Sequence, residues 1–232
     1  MSDLTELKRL AAQRALAEVQ DGMRLGLGTG STAAIFIDLL GQRLRAGDLQ
    51  HIAAVATSQA SAARAAAWGI PAISLAAAGR LHLAVDGADE IDAALNLIKG
   101  LGHALLREKI VAIHAERFLV IADEGKRSPR LGVRSPLPVE ITPFAADATV
   151  NWLNTLGCRA ELWRDAQGQP FCTDNGNLLA RCWFAAGIAD PYALARALAD
   201  RPGVVEHGLF LDMADAVILA GGDGLTLLER QR

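Results

Sequence analysis

Residues 85–92, "VDGADEID", place four carboxylates, Asp86, Asp89, Glu90 and Asp92, directly behind the apolar run "LHLAV" at 81–85. A run of that length predicts a strand, and open α/β sheets bind ligands past the carboxyl ends of their strands. Gly87 lets the chain turn between Asp86 and Asp89, so both can face one crevice and handle the protons of a polar substrate. A solvated turn is the alternative account, and exposure near a helix start suffices for Glu90 and Asp92. Magnesium binding would need a hard-cation shell that nothing else in the chain resembles.

"GLGTGSTAA" at 26–34 follows a predicted strand. Ser31 and Thr32 open a helix whose first N–H groups favour an anion, so hydroxyls and amides here suit a phosphate. A well-capped strand-to-helix turn explains the same residues. The stretch is not a Walker A loop, because the Lys-Ser/Thr ending is missing. It also fails as a dinucleotide fingerprint, because the second strand ends in Thr57 and Ser58 where an acid is required.

"IKGLGHALLREK" sets Lys99 before a glycine turn and Glu108 on the helix that follows. A lysine stabilises negative charge on a substrate oxygen, and a carboxylate can take a proton from carbon beside a carbonyl. Alone, Glu108 would read as a surface helix residue, and His103 and His114 as packing or surface residues. "ADEGK" ends another strand with Asp123 and Lys126, a lysine able to reach the same edge.

The elements that must carry these groups alternate between strand-length apolar runs and helical patterns, as in βαβ units around a mostly parallel sheet. Strands are predicted at 24–28, 51–58, 71–75, 81–85 and 117–123, with an amphipathic helix over the N-terminal residues. Pro129, Pro136, Pro138 and Pro143 then exclude a regular helix and suggest a crossing between domains. Beyond them, a helical "DATVNWLNTLG", a hairpin-like 158–184 and a second helix at 190–203 suggest a small α+β module. "GLF" and "ADAVILAGG" read as a return to the main sheet. The predicted domains are therefore 1–130 with 207–232, and an inserted 131–206.

The 232 residues are 51% hydrophobic and 21% charged, the balance of a folded chain with a sizeable core. A formal net charge of −3 gives no electrostatic reason to expect nucleic acid or an anionic membrane as a partner. No apolar run reaches the ~20 residues that span a bilayer, and the N-terminus lacks the core and cleavage site of a signal peptide. Cys158, Cys172 and Cys182 form no CxxC pair. Reduced thiols in a cytoplasmic protein are expected.

Together, "GLGTGSTA", "VDGADEID", "KGLGHALLREK", "IADEGK", "LPVE" and "TDNGN" occur in the order seen in ribose-5-phosphate isomerases of type A, and the chain resembles that family over nearly its whole length. The resemblance implies a Rossmann-like α/β domain with an inserted, smaller α+β (ferredoxin-like) lid domain. It implies interconversion of D-ribose 5-phosphate and D-ribulose 5-phosphate through a cis-enediolate, with no cofactor and no metal, by a homodimer or homotetramer. Thr29, Gly30, Ser31 and Thr32 then correspond to the substrate and phosphate loop. Asp86, Gly87, Ala88 and Asp89 correspond to the acidic crevice, and Lys99, Gly100 and Gly102 to the adjoining turn. Glu108 matches the general base, Lys126 a substrate-binding lysine, and Lys8 a phosphate contact. Catalysis would fall to Glu108, Lys99 and Asp86.

The chain departs from the pattern in two places: Leu101 and His103 stand in a turn that is usually glycine-rich, and Gly125 stands where Ser is usual. Rival readings are another sugar-phosphate enzyme on a related fold, or a non-catalytic phosphosugar sensor. A sensor would need the phosphate loop but neither Glu108 nor Lys99, and would normally carry a DNA-binding module, for which the N-terminal helix is too short and no basic patch is present.

Overall fold

The computed structural model describes residues 4–231. From the N-terminus the elements are α1 (Leu4–Leu16), β1 (Arg24–Leu27), α2 (Ser31–Ala46), β2 (Ala53–Ala56), α3 (Gln59–Trp68), α4 (Leu75–Ala78) and β3 (Leu83–Asp86). Next come β4 (Glu90–Ile91), β5 (Leu97–Ile98), α5 (Leu105–Ile113), β6 (Phe118–Asp123), β7 (Leu137–Ile141), α6 (Ala146–Leu153), β8 (Arg159–Leu162) and β9 (Leu178–Trp183). The chain ends with α7 (Pro191–Ala199), β10 (Val204–His207), β11 (Leu209–Phe210), β12 (Ala216–Gly221) and β13 (Gly224–Glu229). Among the described residues no helix is long and apolar enough to cross a membrane.

The chain divides into two compact units: Met1–Ala88, Arg107–Lys126 and Met213–Arg232 form one, Asp89–Leu106 and Arg127–Asp212 the other. Residues 89–106, grouped by the sequence with the sheet domain, thus make their contacts within the second unit.

The first unit is a six-stranded sheet in the order β13-β12-β6-β3-β1-β2, parallel except for the edge strand β13. Side chains alternate between the faces of a strand, so Leu25 and Leu27, Leu83 and Val85, and Leu119 and Ile121 share one face. They join Phe36, Ile37 and Leu40 of α2 and the small Ala11, Ala12 and Ala15 of α1 in one buried core. Each buried Leu, Ile or Phe contributes about 1.5–3 kcal/mol through removal from water. On the opposite face Gly26 replaces a side chain with space. A Cβ there would lie 2.5 Å from Val111 Cγ1 on α5 and 2.9 Å from Ala84 Cβ, so α5 approaches the sheet only because Gly26 is bare.

Two local expectations for this unit change. Residues 71–75 form no strand; Ala72 makes an isolated bridge to Ala54, and Leu75 already begins α4, capped by the Ser74 hydroxyl. "GLF" contributes β11 to a three-stranded sheet β11-β5-β4 of the second unit, not to the main sheet. A three-residue apolar run carries no signal for which sheet it joins.

The second unit's larger sheet has the order β10-β7-β9-β8, all antiparallel, from the sequence β7-α6-β8-β9-α7-β10. That is the ferredoxin-like split βαβ arrangement. Its core combines Val139, Ile141, Ala160, Ala180 and Cys182 with Leu153 of α6 and Leu198 of α7. α7 starts cleanly because the Asp190 carboxylate accepts from the N–H groups of Tyr192 and Ala193, with Pro191 at the first helical position. The prolines do exclude helix, yet Pro138 lies within strand β7 opposite Arg181.

Candidate active site

In the first unit β1 pairs with β2 on one side and β3 on the other, both parallel, so the direction of winding reverses at β1. A crevice past the carboxyl ends of the strands at such a point is the expected ligand site. Asp86 ends β3 there and is only 3% exposed. Its Oδ1 accepts from the backbone N–H of Thr29 at 3.1 Å and of Gly87 at 2.7 Å. Gly28 makes this possible: a Cβ at Gly28 would fall 2.1 Å from Asp86 Oδ1. The two glycines of "GLG" therefore serve close approach, Gly26 to α5 and Gly28 to Asp86. The tight turn comes at Gly30, with φ +112.

The Thr29 hydroxyl is tied into a cluster at the end of β2. It lies 2.6 Å from Thr57 Oγ1 and donates to Ser58 Oγ at 2.8 Å; Ser58 donates to Ser61 Oγ at 3.1 Å, and Ser61 to the Gly28 carbonyl at 2.6 Å. Ser58 also caps α3 by accepting from Ser61 N–H at 3.0 Å. Thr57, Ser58 and Ser61 thus hold the 28–30 loop. By sequence Thr57 and Ser58 stand only where a dinucleotide site requires an acid; the signal for their role is a hydroxyl pair at a strand's end before a helix cap.

Thr32 is buried, while Gly30 and Ser31 are exposed at the start of α2. Gly30 provides no side-chain cap, which leaves the first-turn N–H groups to solvent or a ligand. Lys8 of α1 donates from Nζ to Ser31 Oγ at 2.9 Å. An ammonium, a hydroxyl and a helix N-terminus in one place suit a phosphate.

Glu108 is 3% exposed on α5. It precedes Val111 by three residues, so it shares the helix face that presses on Gly26. Glu108, Asp86, Gly26, Gly28 and Thr57 line one small void above the sheet. A helix residue that looks like a surface acid by sequence is thereby placed beside the carboxyl ends of β1 and β3. At the end of β6, Asp123 is buried and Lys126 is half-buried on a short 3-10 turn. A Cβ at Gly125 would lie 2.8 Å from Asp123 Oδ1, so the departure to Gly at this position relieves crowding on that carboxylate.

The second unit carries Asp89, Lys99, Gly100 and Gly102. Asp89 Oδ2 accepts from Leu101 N–H at 2.9 Å, and Lys99 is buried with its ammonium 5.4 Å from the Phe210 ring centroid. Gly100, at φ +110, has no room for a side chain beside Leu105.

The structure corrects the reading of the other two acids. Glu90 is not a solvated residue. It is fully buried, and its carboxylate accepts from Gly132 N–H at 2.9 Å, Arg134 N–H at 2.8 Å, Ser135 N–H at 2.6 Å and Ser135 Oγ at 3.0 Å. Asp92 is half-buried and closes the next turn, accepting from Ala94 and Asn96 N–H groups. Both partners lie outside the acidic motif or depend on its turn, so composition alone could not assign them. Likewise "LPVE" and "TDNGN" prove to be one cluster: Glu140 Oε1 accepts from Thr173 Oγ1, Asn175 Nδ2 and Asn177 Nδ2 at 2.8–3.0 Å.

Residues 53–224 match the family model for ribose 5-phosphate isomerase A (phosphoriboisomerase A). The chain belongs to the ribose 5-phosphate isomerase A family. The ribose-5-phosphate isomerase A of Roseiflexus castenholzii is 52% identical over 222 residues, covering 96% of this chain and 94% of that one. The isomerase of Bradyrhizobium diazoefficiens is 47% identical, covering 99% and 98%. Among solved structures, a D-ribose-5-phosphate isomerase in complex with phospho-erythronic acid superposes with a TM-score of 0.96 at 41% identity, covering 99% of this chain and all of that one. The ribose 5-phosphate isomerase of Plasmodium falciparum gives 0.95 at 34% identity, covering 98% and 100%. Family membership accounts for the fold of each unit and for the motif order along the chain.

Proposed function

We propose that this isomerase interconverts D-ribose 5-phosphate and D-ribulose 5-phosphate, with Glu108 as the base. The observation that carries the reading is the buried Glu108 carboxylate beside Asp86 at the strand ends, in a chain whose relatives at about half identity bear that activity in their names. The phosphate is held by Ser31, Lys8 and the start of α2, with Thr29 to Thr32 forming the loop; Lys126 is a further substrate contact. The phosphorylated sugar acid in the structure of one relative is in keeping with such a ligand.

In the forward direction Asp86 assists ring opening, and Asp89 orients the open-chain sugar. Glu108 removes the proton from C2; the C–H electron pair forms the C1–C2 double bond and leaves an oxyanion on O1. Lys99 stabilises that charge, which is necessary because a proton beside a carbonyl is only weakly acidic. Asp86 moves the O2 proton to O1, and Glu108 returns its proton to C1. Proton and electron counts close within the substrate, so no redox partner enters. Gly87, Ala88, Gly100 and Gly102 supply backbone close to the sugar.

The second unit acts as a lid or oligomerisation domain in a cytoplasmic homodimer or homotetramer. Phe144, 89% exposed in that unit, supports a subunit contact there. Incubation of EDTA-treated protein with ribose 5-phosphate in D₂O tests the chemistry by NMR. Ribulose 5-phosphate carrying solvent deuterium is expected, and its loss in Glu108→Gln. Binding of the sugar phosphate without product or exchange would instead indicate a sensor.

A further inference from the structure

His103 has φ +68, a left-handed conformation natural to glycine and uncommon for other residues. Its ring stacks on Phe171, with centroids 4.1 Å apart and planes at 28°, and meets Trp163 edge-on at 4.4 Å and 80°. Phe171 N–H donates to the Trp163 carbonyl at 2.8 Å, so both aromatic residues belong to one hydrogen-bonded arm between β8 and β9. On Trp163 rests the Arg181 guanidinium, 5.1 Å from the ring centroid, and Arg181 donates to Glu161 at 2.9 Å. His103 Nε2 is buried and has no hydrogen-bond partner among the described residues. Aromatic packing is therefore what fixes this ring.

The turn so gripped is the one that begins at Lys99. Lys99 N–H donates to the Gly208 carbonyl at 2.9 Å, Leu101 N–H to Asp89 Oδ2 at 2.9 Å, and His103 N–H to the Gly100 carbonyl at 2.9 Å. Gly208 leaves no slack at the first of these, since a Cβ there would lie 2.2 Å from the Lys99 carbonyl oxygen. The turn is held at its start by backbone, in its middle by Asp89, and at its end by the imidazole.

We propose that His103 is a positioning residue for the isomerisation: its contact with Phe171 and Trp163 fixes the 99–104 turn, and through it the Lys99 ammonium and the Asp89 carboxylate. In this chain an aromatic clasp takes the place of a glycine. The inference rests on the roles given to Lys99 and Asp89 above.

Steady-state kinetics of His103→Gly, His103→Asn, Phe171→Leu and His103→Gly/Phe171→Leu test it. Gly and Asn both tolerate the left-handed backbone but lack the ring. Each single variant is expected to lose about 10-fold in kcat with KM changed by less than about 3-fold, as a misplaced catalytic group does. The double variant is expected to fall no further than the weaker single, because both changes remove one contact. Unchanged kcat and KM in the folded variants, with only a lower Tm, would overturn the proposal; so would losses that multiply in the double variant. Lys99→Ala measured alongside separates the two readings. A fully active Lys99→Ala would overturn the assignment of the site, whereas a strong Lys99 effect with normal clasp variants overturns the clasp alone.

Discussion

Asp86 Oδ1 accepts the Thr29 backbone N–H at 3.1 Å and so ties the ends of β1 and β3 together where the winding of the sheet reverses. One carboxylate thereby shapes the 28–30 loop, which the proposed mechanism assigns to the phosphate, while standing among the groups it assigns to the sugar. The bond exists because residue 28 has no side chain. Gly28→Ala would set a methyl 2.1 Å from that oxygen. The expected result is a loss of about 1–3 kcal/mol in stability from overpacking, with kcat/KM falling further than stability alone explains. Gly30→Ala is the control: its Cβ meets nothing within 4 Å, but φ is +112. It should show backbone strain without displacement of Asp86, distinguishable in urea unfolding and in the Asp86-region NMR shifts.

Glu108→Gln preserves volume and removes the proposed base. Turnover is expected to drop by about 10²–10⁴-fold, with substrate binding nearly intact. Single-turnover kinetics and calorimetric titration with ribose 5-phosphate measure the two separately; a rate near that of the wild type would remove Glu108 from the mechanism.

Lys8→Ala and Ser31→Ala address the proposed phosphate site. Loss of a charge-assisted contact to phosphate should raise KM about 10-fold for Lys8, about 1.4 kcal/mol, with little change in kcat. The effect should weaken as ionic strength rises, because the lysine is only half-buried. A pure kcat effect would place the phosphate elsewhere.

Glu90→Gln turns an amide toward N–H donors now received by a carboxylate. Destabilisation of about 1.5–3 kcal/mol is expected in denaturant unfolding. A surface acid, as the sequence suggested, would show almost none.

Burial holds the His103 imidazole below its ordinary pKa of 6.5. The folded state thus prefers the neutral ring, and Arg181 over the Trp163 ring adds no anion to reverse that preference. The stabilisation is present above the unfolded pKa and is lost as pH falls through the lowered folded value. The stability advantage of wild type over His103→Asn should therefore shrink between neutral and mildly acidic pH. NMR titration of the imidazole Cε1 proton gives the direct check; a pKa at or above 6.5 would mean an exposed ring.

Much of this was readable from residue order. Apolar runs of strand length alternating with helical spacing give a parallel sheet, because strand and helix each need one buried face and the chain supplies them in turn. By the same local logic, a net charge of −3 gives no electrostatic reason to expect nucleic acid, and no apolar run reaches the length of a membrane span. Motif order carries the family, since each motif is a short contiguous stretch whose chemistry depends on residue type.

What tertiary structure alone decided depends on groups distant in sequence. Glu90 and Asp86 sit in the same eight residues, yet one meets backbone donors at 132–135 and the other the N–H of residue 29. Gly26 and Gly28 look like turn glycines but are required by Val111 and Asp86. His103 looks like a loop residue until Phe171 stacks on it. Residue type fixes what a side chain can do, whereas burial and partners fix what it does. Those are set by contacts the chain makes only when strands far apart in sequence become neighbours.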